Sequence, residues 1–230
     1  LAAIAKVPLL CKACEASRNS TPAAEHSKRK FITRSNQNSA TEAKSMQKNS
    51  SPFIEPKPGH CLEDGIADFF RKINDNSLIE IVSMKLKHAN VSNVKFPEFN
   101  VMEFMTFDVM FQGCNFESYD IGGSWIKNCV FIECNFINTG LVKANISDSE
   151  IINSNLNKSN FANAEIFNTV FKNVYFEEAN LQGTVFFDCD LRGIDFKKTK
   201  LGYTRFVRCL LDEHVKCLPG VELATYPGVQ

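Results

Sequence analysis

Between Leu86 and Leu211 a large apolar residue returns at every fifth place. Counting in fives from Leu86 gives 26 such positions, and Thr106 is the only polar one. The last 21, from Phe111 to Leu211, are all Phe, Leu or Ile, and no insertion breaks the phase. A period of five fits neither the α-helix, at about 3.6 residues, nor the strand, at about 2.

The other places in the unit are restricted as well. Two residues before the large one stands a small residue, as at Cys114, Ser124, Cys129, Cys134, Thr139, Ala144, Ser149, Ser154, Ser159 and Ala164. The place immediately before it is often Asn or Asp, as at Asn115, Asp120, Asn135, Asn155 and Asn180. Two residues after it come Gly, Asn, Asp or Lys, the composition of a turn.

The units "CNFIN", "ANISD", "SNLNK", "SNFAN", "ANLQG" and "CDLRG" closely resemble the A(D/N)LXX consensus of pentapeptide-repeat proteins, over about 125 of the 230 residues. The resemblance implies an all-β fold, a right-handed quadrilateral parallel β-helix. Four pentapeptides make one square coil, with the large and small residues pointing inward. Residues twenty apart then stack along the axis, giving inner columns such as Phe116, Phe136, Leu156, Phe176, Phe196. Burial of each such side chain contributes roughly 1.5–3 kcal/mol. At ~4.8 Å per coil the rod is about 30 Å long. Asn115, Asn135 and Asn155 fall in one column, where amide-to-amide ladders are expected.

The flanks differ in kind. Residues 1–60 are rich in Ser, Asn, Thr, Lys and Ala without apolar period, and are expected to be a disordered arm. Its basic cluster Lys28, Arg29, Lys30, Arg34 reads as solvated linker. Residues 61–85 are expected to hold a capping helix and first strand. Leu62, Ile66, Phe69, Phe70 and Ile73 mark one helix face, and "SLIEIVSMKLK" alternates as a strand does. The coils are assigned to 86–213, and 214–230 to a C-terminal cap or tail. A stack of coils needs both ends covered. The chain opens on Leu1 rather than Met, which is expected of a fragment or processed form.

Charge and chemistry narrow the function classes. The 26 basic and 26 acidic residues balance, which gives no global case for nucleic acid or a membrane surface. No apolar run approaches the ~20 residues that span a bilayer. From Phe96 to Asp190 there are 13 acidic residues against four lysines, a net of −9, whereas Leu191 to Arg208 carries six cations against Asp195. Five cysteines (Cys114, Cys129, Cys134, Cys189, Cys209) sit at the small inward place and read as reduced core residues. A cytosolic compartment follows, bacterial or, by likeness to secreted effectors, that of a host. The pair Cys11 and Cys14 has zinc or redox spacing but no second pair, and His60 and Cys61 complete a set only if the arm folds back. Asp212, His214 and Cys217 are nucleophile-type residues that nothing in the sequence brings together. No cofactor, metal or catalytic group is expected.

What remains is surface. Phe167, Phe187 and Val207, one residue after the anchor, together with Ile132, Ile152 and Val170 on the adjoining side, are expected to form a continuous apolar strip along one edge. Such a strip marks a partner or dimer surface. The expected function is therefore a non-enzymatic scaffold for a protein partner or a second copy, similar to the repeat segments of bacterial effectors. The alternative rests on likeness to quinolone-resistance pentapeptide proteins, and implies a DNA mimic acting on a type II topoisomerase.

Overall fold

The computed structural model describes residues 52–61, 83–96 and 103–224. They form a four-sided parallel β-solenoid of about seven turns, and the described residues contain no α-helix. The helix expected at 62–73 lies outside the described residues.

Two walls of the tube are strand ladders. The first wall stacks the opening halves of β2 (Ser83–Ser92) and β3 (Glu103–Gln112) on β4 (Trp125–Lys127), β6 (Asn145–Ser147), β8 (Glu165–Phe167), β10 (Val185–Phe187) and β11 (Thr204–Val207). The second wall continues the closing halves of β2 and β3 into β5 (Val130–Ile132), β7 (Glu150–Ile152) and β9 (Val170–Lys172). Every pairing is parallel with a register of twenty, so anchor lies on anchor: Ile126 on Ile146, Phe131 on Ile151. The third and fourth walls are turns joined by single bridges, such as Asn115–Asn135 and Asn160–Asn180.

The turn chemistry separates the two pairs of walls. On the third and fourth, the N–H of the next small residue donates to the anchor's carbonyl, as from Thr139 to Phe136 at 3.1 Å and Ala144 to Leu141 at 3.1 Å. The residue between them is left-handed, Asn138 at φ 56° and Lys143 at φ 58°. That combination is a type II turn. It explains why Asn, Asp and Gly crowd the corner place, since they tolerate a positive φ better than other residues.

The core is the column of anchors. All described anchors from Leu86 to Leu201, and Phe206, are buried. The polar exception, Thr106, is buried too, and its hydroxyl accepts a hydrogen bond from Cys129 Sγ at 3.4 Å. The small inward residues stitch coil to coil. Thr139, Thr184 and Thr204 donate to the carbonyls of Phe116, Phe161 and Leu181, at 2.7, 2.8 and 2.8 Å. Each donor thus satisfies a carbonyl of the preceding coil inside the tube.

The Asn column behaves otherwise than expected. Asn115, Asn135 and Asn155 each accept the backbone N–H two residues on, at 2.9–3.1 Å. Each of these side-chain carbonyls closes an Asx turn within its own unit. Amide-to-amide bonds join Asn160 to Asn180 and Asn153 to Asn173 instead.

Both ends carry added strands. At the first coil β1 (Phe53–Pro56) pairs antiparallel with β2, Phe53 opposite Ser92 and Pro56 opposite Ala89. This corrects the expectation of disorder throughout 1–60: Phe53–Pro56 gains main-chain partners that its composition does not reveal. At the last coil a one-turn 3-10 helix, Glu213–Cys217, buries Val215 against the core. It leads into β12 (Val221–Ala224), which adds in parallel to β11.

Candidate functional site

The surface is ruled by columns, because outward places also repeat every twenty residues. On the first wall Phe167, Phe187 and Val207 lie in register on β8, β10 and β11, each half-buried. The Phe167 and Phe187 rings meet at 6.0 Å, and the Arg208 guanidinium covers Phe187 at 4.4 Å from its centroid. These three residues form one apolar file, fixed by backbone pairing.

The second-wall residues do not extend that file. A corner column of His88, Asp108, Asn128, Asp148, Asn168, Asp188 and Arg208 stands between the two walls, every member at positive φ. It is laced along its length: Asn128 donates to Asp108, Asn168 to Asp148, and Arg208 pairs with Asp188. Val170, at 39% exposure, stands beyond this polar seam, with Glu150 and Asp190 above and below it. Ile152 is half-buried, and Ile132 is only 6% exposed because the register places it between Gln112 and Ile152. The continuous strip expected from the sequence is therefore cut by the corner, and its accessible part is the Phe167–Phe187–Val207 file.

Two family models match within the coils. Residues 124–206 match the pentapeptide repeat region, and residues 81–156 match the SV2A/B/C luminal domain. The array is a pentapeptide-repeat solenoid. No curated protein matches the chain. Among solved structures it is similar to trypsin-treated QnrB1, a plasmid-mediated fluoroquinolone resistance protein, at 16% identity, covering 62% of this chain and 91% of that one, with a TM-score of 0.33. It is also similar to HetL, a pentapeptide repeat protein involved in heterocyst differentiation regulation in the cyanobacterium Nostoc, at 12% identity over 70% and 81% of the two chains, TM-score 0.34. A third is a pentapeptide repeat protein of the Arabidopsis thaliana thylakoid lumen, at 17% identity over 46% and 72%, TM-score 0.28.

The pentapeptide-repeat coils scatter the other candidate groups. Asp212 accepts a hydrogen bond from the Gly193 N–H at 2.9 Å, while His214 and Cys217 are exposed on the 3-10 helix. Cys11 and Cys14 lie outside the described residues. His60 stacks on His88 with centroids 4.0 Å apart, and Lys57 reaches Asp108 at 2.7 Å. Asp108 also receives His88 Nδ1 at 2.8 Å. Burial raises the Asp108 carboxyl, but hydrogen bonds and charge from Lys57 and His88 outweigh that and hold it below the ordinary range. Among the described residues no group of three or more His, Cys, Asp or Glu side chains could hold a metal ion, and no helix is long and apolar enough to cross a membrane.

Sequence reasoning passed over three exposed aromatics: Trp125 at 66%, Tyr175 at 64% and Tyr203 at 79% exposure. Trp125 and Tyr175 occupy the outward place before the anchor, and Tyr203 a corner, so the period of five was enough to find them.

Proposed function

We propose that the protein is a non-enzymatic scaffold that binds a protein partner, or a second copy of itself, through the first-wall file of Phe167, Phe187 and Val207. The observation that carries this reading is the in-register pairing of β8, β10 and β11. It holds three apolar side chains in line on a flat wall at no further ordering cost. A filled tube also suits binding better than catalysis, since its interior offers no concavity in which polar groups converge. The test is the double variant Phe167→Ser, Phe187→Ser, followed by light scattering for oligomeric state and by capture of partners. Loss of self-association or of a captured partner, with unfolding unchanged, supports the file as the interface. If both assemblies persist, the file is not the interface.

A second reading, a DNA mimic directed at a type II topoisomerase, is favoured by one observation: the net charge of −9 between Phe96 and Asp190. Such a surface imitates a polyanion to a DNA-binding protein. Supercoiling by purified gyrase in the presence of excess protein tests it, and an unaltered rate removes it.

A further inference from the structure

Beside the apolar file, the first wall carries a charge pattern of its own. One residue before each anchor, its outward column reads Asn145, Glu165, Val185, Arg205 and Glu222 on β6, β8, β10, β11 and β12. One residue after each anchor it reads Ser147, Phe167, Phe187, Val207 and Ala224. Glu165 and Arg205 are exposed, one coil to either side of the half-buried Val185. Neither forms an ion pair among the described residues. The middle strand β10 is therefore apolar on this face, with opposite charges at equal distances from it.

Such a pattern is complementary to itself. Two copies placed face to face about a two-fold axis along β10 keep each column opposite its own kind and reverse the order of coils. Phe187 then meets Phe187 of the second copy, Val185 meets Val185, and Phe167 meets Val207. Glu165 meets Arg205 of the second copy, and the symmetry repeats that pair on the other side of the axis. One coil further out Asn145 faces Glu222 and Ser147 faces Ala224, so the wall sets no charge against one of like sign. At the corner Asp188 falls level with the axis, where Arg208 of its own chain already pairs with it.

Neighbouring arrangements lose that match. An axis along β8 sets Glu165 against Glu165 of the second copy, and one along β11 sets Arg205 against Arg205. Like charges facing each other across an interface are strongly unfavourable. An axis along the tube lays the Glu165 column on the Phe167 column, which covers a carboxylate and a guanidinium with apolar groups and leaves both unpaired. Only β10 combines apolar contact at the centre with paired charges around it.

We infer that the first wall is the interface of a symmetric dimer, in which two copies of this chain pack face to face, tubes antiparallel, about a two-fold axis along β10. The inference rests on the reading of Phe167, Phe187 and Val207 as a binding face, and it names the occupant. The contact is five strands high and one wall wide, about 24 Å by 17 Å. Roughly 800–1,000 Å² is then covered in total, at the small end of specific interfaces. The dimer is accordingly expected to be weak, with a Kd of about 10–100 μM.

Sedimentation equilibrium of the whole chain, from about 5 to about 500 μM, tests the dimer across its expected Kd. Glu165→Arg and Arg205→Glu should each weaken self-association at least about tenfold, because each sets like charges face to face twice. An equimolar mixture of the two single variants should recover association to within about threefold of the original, since every pair across the axis is again Arg with Glu. That recovery also shows that both variants are folded. A chain that stays monomeric at the highest concentration overturns the dimer, and leaves the file open to a different protein. A dimer that Phe167→Ser, Phe187→Ser abolishes but neither charge reversal weakens overturns the axis along β10 and retains the file. A dimer indifferent to the serine variant overturns both the interface and the reading beneath it.

Discussion

Phe116 lies flat on Phe136, with ring centroids 4.8 Å apart and planes 1° from parallel. The two are twenty residues apart in the chain and one coil apart in space, so the ring spacing is the strand spacing. Phe96 continues the stack at 4.4 Å from Phe116, and Phe111 and Phe131 repeat it on the second wall at 4.9 Å. The solenoid is held by such contacts between successive coils, with each coil leaning on its neighbours.

Truncating a ring in the stack should therefore be costly. Phe116→Ala is expected to destabilise the protein by about 3–5 kcal/mol, the range for a large aromatic removed from a packed core. Tyr203→Ala, at a corner, is expected to stay within about 0.5 kcal/mol. Chemical denaturation of the two variants side by side checks the contrast.

The last coil depends on a left-handed glycine. Gly220 sits at φ +82°, and a Cβ there would stand 2.7 Å from the Leu201 carbonyl oxygen. Its own carbonyl accepts the Thr204 N–H at 3.2 Å, which holds the segment before β12 against β11. Gly220→Ala is expected to cost at least about 1–2 kcal/mol from the positive φ alone. Faster exchange of the Thr204 amide, with Thr139 unchanged, is the local signature.

The clasp at the first coil should open in acid. Asp108 titrates below its unfolded value, so its contribution is present above about pH 3.9 and is lost as pH falls through the lower folded value. Acidification through that window should release Lys57 and His60 from the corner before the coils unfold. Exchange at the Lys57 amide, which donates to the His88 carbonyl at 2.8 Å, follows the release. Asp108→Asn should remove the acid dependence.

Thiol reactivity should map the tube wall. Burial pushes up the thiols of Cys129 and Cys134, and hydrogen bonding to Cys209, then burial, does so for Cys189. Among the described cysteines Cys217 is exposed and should take up iodoacetamide first. Cys129, Cys134 and Cys189 should label only with unfolding, since the thiolate is the reactive form. Peptide mass mapping after timed alkylation reads the order, and early labelling of Cys134 would contradict a closed interior.

The fold was legible because a square coil repeats the same demand at each corner. An inward anchor marks every unit from Phe111 to Leu211, and a small inward neighbour and a left-handed corner residue mark most of them. The Asn of the pattern was legible as a residue type but not as a contact: Asn155 closes an Asx turn alone, whereas the Asn160 oxygen accepts both its own turn and the Asn180 amide. The strand Phe53–Pro56 was hidden for a related reason. It is stabilised by pairing with β2, and its own composition carries no period.

The candidate surface divides in the same way. That Phe167, Phe187 and Val207 point outward in one file followed from counting fives. That Ile132 is covered, and that a polar corner of Asp108, Asp148 and Asp188 parts Val170 from the file, depended on what stands one coil above and below. Val174 and Ile194 were visible as departures from the small place, yet the loss of the backbone bonds between the coils of Tyr175 and Asp195 appears only when two coils are stacked. The sequence by itself determined the period, the inward columns and the corners, since each is a requirement met within five residues. Tertiary structure alone decided which outward side chains remain accessible and where the ladder parts, since both arise between residues that lie twenty apart in the chain and in neighbouring coils.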